Sequence, residues 1–276
     1  MNEIKILYRF INNYTWVLTN YSKIYYNKSM NNSNIKALIS TSGWMYNHWK
    51  GPFYPEKFPN NKMLKYYVNH FETVEVNSTF YRLPSINTVQ KWMNETPEHF
   101  IFAIKANQFI THRKYLKDGQ ETTKKFFDVI KILNHKLGPI LFQLPPNWRI
   151  NIERLKEFIE ILPKQYLYTF EIRHTSWYFQ EVFDLFKKHN IALCIHDFTG
   201  DLLLEKITAD FVYIRFHGPI SYYYGKYSPD HLNQWAEKIY EWLKQKIKVF
   251  AYFNNDAHGW AVENALEINK ILNKYS

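Results

Sequence analysis

Along this chain, short runs of β-branched and aromatic residues end on a polar side chain. Each is followed by a Pro-, Gly- or Asn-rich loop and then by apolar residues three and four positions apart. The runs are Ile35–Thr41, Thr73–Asn77, Phe100–Lys105, Pro139–Gln143, Leu167–Ile172, Ile191–His196, Phe211–Phe216 and Ile247–Phe253. Their composition predicts strands, since branched and aromatic side chains pack well on a pleated surface. The stripes between them predict helices with one apolar face. Leu64, Tyr67, Val68 and Phe71 form one, and Phe126, Val129, Ile130 and Leu133 after Thr122 another. Leu155, Phe158, Ile159 and Leu162 form a third, closed by Pro163. Leu232, Trp235, Ala236, Ile239, Trp242 and Leu243 follow a Ser228 cap with Pro229 in the first turn. Strand–helix alternation predicts a parallel sheet, and eight units in roughly 240 residues predict an α/β fold of the (β/α)8 type, a TIM barrel. The barrel is expected as a single domain over residues 35–276, its sixth unit the weakest because Thr199–Asp210 leaves room for only a turn or two of helix.

Residues 1–34 stand apart as an N-terminal tail. They are rich in Asn and Tyr and carry neither period nor a secretory apolar core, and they read as a poorly ordered extension or as sequence preceding a start at Met30. In the whole chain of 276 residues, 46% are hydrophobic and 19% aromatic, enough for a large core and incompatible with a disordered main body. No apolar run approaches the ~20 residues that a membrane-spanning helix needs, so no membrane partner is expected. The single cysteine, Cys194, cannot form an internal disulfide, which fits a reducing, cytoplasmic setting. A net charge of +10 admits nucleic acid or an anionic metabolite as partner, and it equally fits a composition rich in Lys, Asn and Tyr.

Side chains two apart share a face of a strand, so Glu75 pairs with Asn77, Glu171 with Arg173 and Arg215 with His217. Lys105, Gln143, His196 and Asp197 end strands three, four and six, and Asn254, Asn255 and Asp256 follow strand eight. In a closed barrel these ends converge on one mouth. Glu75 and Glu171 are candidate acid/base groups, with His217 and His112 as proton shuttles. Lys105, Arg173 and Arg215 are candidate anion ligands and Lys105 a further catalytic candidate, while Asn77, Gln143, Asn254, Asn255 and Asp256 would orient a substrate. Aromatic residues frame the mouth: Trp44, Trp49, Phe80, Tyr81, Trp177, and the Tyr222–Tyr227 loop; Tyr81 and Trp177 are candidate stacking surfaces. A divalent metal on Glu75, Glu171, Asp197, His196 or His217 is the weakest option, since no short-spaced ligand motif exists and three cations lie beside the acids. No GxGxxG, GxxxxGK[ST], GxSxG or nucleic-acid-binding signature is present.

The segments TSGWMYNHWKGPFYP (Thr41–Pro55), FETVEVNSTFYRLP (Phe71–Pro84), FAIKANQFITH (Phe102–His112), LGPILFQLPPNW (Leu137–Trp148), FEIRHTSW (Phe170–Trp177), VYIRFHGP (Val212–Pro219) and YFNNDAHGWAVENA (Tyr252–Ala265) resemble the YecE-like family, domain of unknown function 72. The resemblance runs from about Ala37 to Leu272 in order. It implies a TIM barrel and no particular reaction. The residues so far support an enzyme acting on a small polar or anionic metabolite at the barrel mouth by carboxylate acid/base chemistry. A nucleic-acid-binding protein and a non-catalytic ligand- or partner-binding barrel are the rivals.

Overall fold

The strands follow the alternation in the sequence. In the computed structural model, which describes residues 36–117, 119–197, 204–221 and 223–275, they are β1 (Ala37–Thr41), β2 (Thr73–Val76), β3 (Ile101–Lys105), β4 (Leu137–Gln143), β5 (Tyr168–Glu171), β6 (Ile191–Asp197), β7 (Phe211–Phe216) and β8 (Lys248–Phe253). All neighbours pair in parallel in the order β1-β8-β7-β6-β5-β4-β3-β2. The remaining seam, between β1 and β2, is held by a parallel bridge from Ser42 to Glu75, where the Gly43 N–H donates to the Glu75 carbonyl at 2.7 Å. The α/β-barrel expectation is met, with a nearly closed sheet. The N-terminal tail, Ile35, the first part of Thr199–Asp210 and Tyr222 lie outside the described residues.

Period-two alternation sorts each strand into two environments. Outward-facing Ile39, Val74, Phe102, Phe142, Ile214 and Phe253 pack beneath the helices in the main core. Inward-facing Leu38, Leu141, Ala192, Phe211, Phe250 and Tyr252 fill the barrel itself as a separate apolar cluster. Above them, toward the carboxyl ends, the inward positions become Glu75, Lys105, Gln143, Glu171, His196 and Arg215, all buried. The interior is therefore apolar at the base and ionic at the mouth.

Helices cover the outside where the stripes predict them. The segment Pro229–Lys244 begins at Ser228, whose hydroxyl accepts from the His231 N–H, and it buries Leu232, Trp235, Ala236, Ile239 and Trp242. The segment Ile152–Ile161 is capped by Asn151 and buries Leu155, Phe158 and Ile159. The first stripe yields only Met63–Tyr67, and Gly119–Ile130 passes into a 3-10 turn over Lys131–Lys136 that contains Asn134 at φ 48°. In the sixth unit Leu204–Asp210 is not helical. There Thr208 stands in for a helix by accepting from the Leu193 N–H at 2.8 Å and donating to the Ile191 carbonyl at 2.7 Å. Removing the Ser228 hydroxyl by Ser228→Ala should cost about 1 kcal/mol and lower Tm by roughly 2–4 °C in a thermal melt. An unchanged Tm would mean that packing of the apolar stripe alone sets this helix start.

Candidate functional site

Arg215 stands at the centre of the mouth, inward from β7 and 1% exposed. Its Nε and Nη2 each donate to Glu75 at 2.9 Å, and its Nη1 donates to Glu171 Oε2 at 2.6 Å. Glu75 also accepts from the Ser42 hydroxyl at 2.6 Å and the Tyr213 hydroxyl at 2.7 Å. Glu171 accepts at Oε1 from Arg173 Nε at 2.7 Å and from the Gln143 amide at 2.8 Å. Every carboxylate oxygen of the pair thus has a strong donor. Burial alone would raise both carboxyls. For Glu75, the Arg215 charge and the bonds from Arg215, Ser42 and Tyr213 reverse that, leaving it below its ordinary value. For Glu171, Arg173 and Arg215 hold it well below. Both are therefore ionised at neutral pH.

The bases of the mouth behave in the opposite way. Burial, followed by the Arg215 charge, brings Lys105 down to about 7, against the pull of Glu171 and Glu75. His217 is fully enclosed, and burial and Arg215 push it down to about 4. Its Nε2 lies 3.4 Å from Glu171 Oε1 and its Nδ1 3.3 Å from the Asn254 amide. Burial and the neighbouring Lys105 take His112 to about 4 as well, while Thr111 hydrogen-bonds its Nδ1 at 2.8 Å. Two neutral imidazoles and a half-protonated amine thus surround a permanently charged pair.

The loop after β2 sets the position of Lys105. Thr79 donates to the Val76 and Lys105 carbonyls, and Asn107 donates to the Thr79 carbonyl at 2.9 Å, so the short helix Ser78–Tyr81 is pinned against the end of β3. Phe80 is thereby laid under Lys105, with Nζ 4.1 Å from the ring centroid. The same ring meets His112 in a T-shaped contact at a centroid distance of 5.0 Å.

Of the residues expected at the mouth, Glu75, Lys105, Gln143, Glu171, Arg173, Arg215, His217 and Asn254 come together there. Asn77 is half-buried, and its Oδ1 is enclosed without a hydrogen-bond partner among the described residues. Tyr81 stands at the rim, 72% exposed. Others turn elsewhere. Trp177 is fully buried and spends its indole N–H on the Trp148 carbonyl, so it is a wall of the β5 loop. Asn255, one residue out of phase with Asn254, points outward to the Gly225 carbonyl and the Asn264 side chain. Asp256 sits beside His48 at 3.7 Å and accepts from the Trp49 indole through its main chain. Asp197 faces away from the barrel interior, bonded to His231 at 2.7 Å and Trp235 at 3.0 Å. His196 points inward but lies 3.1 Å from the Ile172 carbonyl and 3.2 Å from the Tyr178 hydroxyl. Ser42 and Tyr213, which complete the shell of Glu75, were not singled out in the sequence; the parity that places Arg215 inward places Tyr213 inward too.

Among the described residues, no three His, Cys, Asp or Glu side chains are grouped to hold a metal ion, and no helix is long and apolar enough to cross a membrane.

Comparison with known proteins agrees with this architecture. UPF0759 protein YunF of Bacillus subtilis is 25% identical over 257 residues, which cover 79% of this chain and 89% of that protein. UPF0759 protein YecE of Escherichia coli is 29% identical over 116 residues, 42% of this chain and 43% of that one. The crystal structure of a DUF72 family protein from Thermotoga maritima superposes with a TM-score of 0.78 at 29% identity, covering 86% of this chain and 99% of that one. A second DUF72 structure, from Enterococcus faecalis, shares the fold at a TM-score of 0.72 and 20% identity, over 86% of this chain and 96% of that one. The family described as "Protein of unknown function DUF72" matches residues 38–276, and the chain belongs to that family.

Proposed function

We propose that the chain is an enzyme that binds a small polar or anionic metabolite at the carboxyl-end mouth of its barrel and moves a proton there. The observation that carries this reading is the division of labour at the mouth. Arg215 and Arg173 keep two carboxylates ionised, while Lys105, His112 and His217 can be uncharged at neutral pH. A catalytic base works best when its pKa lies near the operating pH, and Lys105 at about 7 meets that condition. Glu75 and Glu171, held low by their arginines, serve better as fixed charges that orient Arg215 and Arg173 than as proton carriers. Arg173, whose side chain is 17% exposed against 1% for Arg215, is the guanidinium that a carboxylate or phosphate would meet first.

A thermal-shift screen of carboxylated, phosphorylated and sugar metabolites, with short oligonucleotides in parallel, tests the substrate class. An anionic metabolite at about 100 times its Kd should add roughly 2.7 kcal/mol, and Arg173→Met should remove most of that shift. A stabilising metabolite that stays chemically unchanged over hours would mark a binding barrel without turnover. Stabilisation by oligonucleotides alone, disappearing as salt rises, would replace this reading with a nucleic-acid one.

Lys105 gives a second test. Its folded value lies well below the ordinary lysine value, so below about pH 7 the folded state carries an ammonium that it disfavours. Between that pH and the unfolded value of ~10.4 the unfolded chain binds more protons, and this group's contribution to stability therefore rises with pH. Lys105→Met should be more stable than wild type in urea melts at about pH 6, by up to a few kcal/mol, and should lose that advantage toward pH 10. A difference that stays constant over this range would mean an ordinary lysine amine.

A further inference from the structure

Each buried carboxylate of the mouth is committed elsewhere. Glu75 is taken by Arg215, Ser42 and Tyr213, and Glu171 by Arg215, Arg173 and Gln143. Among the described residues none lies within ion-pair distance of Lys105. Its amine is 4.1 Å from the centroid of the Phe80 ring, and the residue is 7% exposed. A lysine that served only as an anion clamp would need to stay charged; the Phe80 face favours that charge only modestly, while burial and the nearby Arg215 work against it. Desolvation without a paired carboxylate is how proteins turn a lysine into a nucleophile.

We propose that Lys105 forms a Schiff base with the carbonyl carbon of a small 2-oxo acid whose carboxylate is received by Arg173. The assignment deepens the reading of the mouth as a site for anionic metabolites and rests on it. In the reaction the Nζ lone pair attacks the carbonyl carbon, and the C=O π pair moves to oxygen. One amine proton is passed to that oxygen, giving a carbinolamine. His112 is suited to relay it, being an uncharged imidazole in contact with the same Phe80 ring that Lys105 meets. The nitrogen lone pair then forms C=N as the hydroxyl departs with the second amine proton as water, and the imine nitrogen takes one proton from solvent. The resulting iminium is a cation in a place where Glu75 and Glu171 are already matched by Arg215 and Arg173. A carboxylate on the substrate supplies the missing counter-charge, which is why a 2-oxo acid fits better than a neutral ketone.

The test is reductive trapping. The full-length protein is incubated at neutral pH with pyruvate and sodium cyanoborohydride, or with acetone and the same reductant, and the modified peptide is mapped by mass spectrometry. An ordinary surface lysine, at a pKa of ~10.4, is neutral in only about one molecule in a few thousand at pH 7, so Lys105 should label first. The expected result is one reduced lysine adduct, on Lys105, beside labelling of the α-amine, whose ordinary pKa is ~7.7–8.0; the adduct should form about tenfold or more faster from pyruvate than from acetone once each rate is divided by that of the α-amine. The adduct should be absent in Lys105→Arg and Lys105→Met. Arg173→Met should bring the pyruvate-to-acetone ratio down to the one the α-amine shows while Lys105 still labels. Should that variant fail to fold, the ratio on Lys105 against that on the α-amine of the wild-type protein decides the same point. Labelling scattered over surface lysines, with Lys105 unmodified in folded protein, would overturn the proposal. If pyruvate or another anion still raised Tm in that case, the anionic-metabolite reading would stand without the covalent step. Rapid labelling of Lys105 with no preference for pyruvate would instead remove the 2-oxo acid and the anionic substrate together.

Discussion

The guanidinium of Arg215 is the constraint on which the rest of the mouth depends. It spans from Glu75 on β2 to Glu171 at the end of β5 and faces both from β7, so one side chain bridges two buried acids, with Arg173 supplying the second positive charge. Moving a single carboxylate into a dry interior costs several kcal/mol even after relaxation, and two unpaired acids here would also repel each other. With Arg215 and Arg173 in place both stay ionised. Lys105 and His217 are lowered first by burial and then by the Arg215 charge, so the unusual bases owe part of their character to how the acids are satisfied.

This arrangement is confined to one end. The barrel base is filled by Leu38, Ala192, Phe211 and Phe250, which carry no chemistry and contribute burial. Tyr213 and Thr73 mark the change of layer: the first sends its hydroxyl up to Glu75, the second shares a hydrogen bond with Tyr252 at 2.8 Å. The polarity gradient matches the general property of such barrels, in which loops at the carboxyl ends carry the site and the opposite face carries stability.

Much of this was legible in the sequence because its two periods are strict. Alternation placed Glu75, Lys105, Gln143, Glu171 and Arg215 on the inner face, and three- and four-residue spacing placed the covering helices. Partner choice was not legible, because which acid meets which base depends on the stagger of strands around the barrel, and a linear pattern does not contain it. For the same reason the sequence, which offers Lys105 both as an anion ligand and as a catalytic group, did not show the Phe80 ring beside its amine. Trp177 and Asn255 sit beside site residues in sequence but turn outward, Asn255 by the very parity that points Asn254 inward. The sixth unit departs from the repeat because Thr208 satisfies the backbone of β6 directly, which is a matter of side-chain reach and has no periodic signature.

The separation of these partners along the chain bears on how the barrel is assembled. Glu75 and Arg215 are 140 residues apart, and Glu171 and Arg215 are 44 apart. A fragment ending after β4 would hold Glu75 inside a partial sheet with no cation from β7 to meet it, and one beginning at β5 would hold Arg215 with only Glu171. Neither half is electrostatically complete. The residue whose carboxylate pairs with Arg215 of β7 also closes the β1–β2 seam, since the Glu75 carbonyl receives the Gly43 N–H. Cutting this chain between β4 and β5 would put Glu75 and Arg215 on different pieces, while Glu171, Arg173 and Arg215 would stay together.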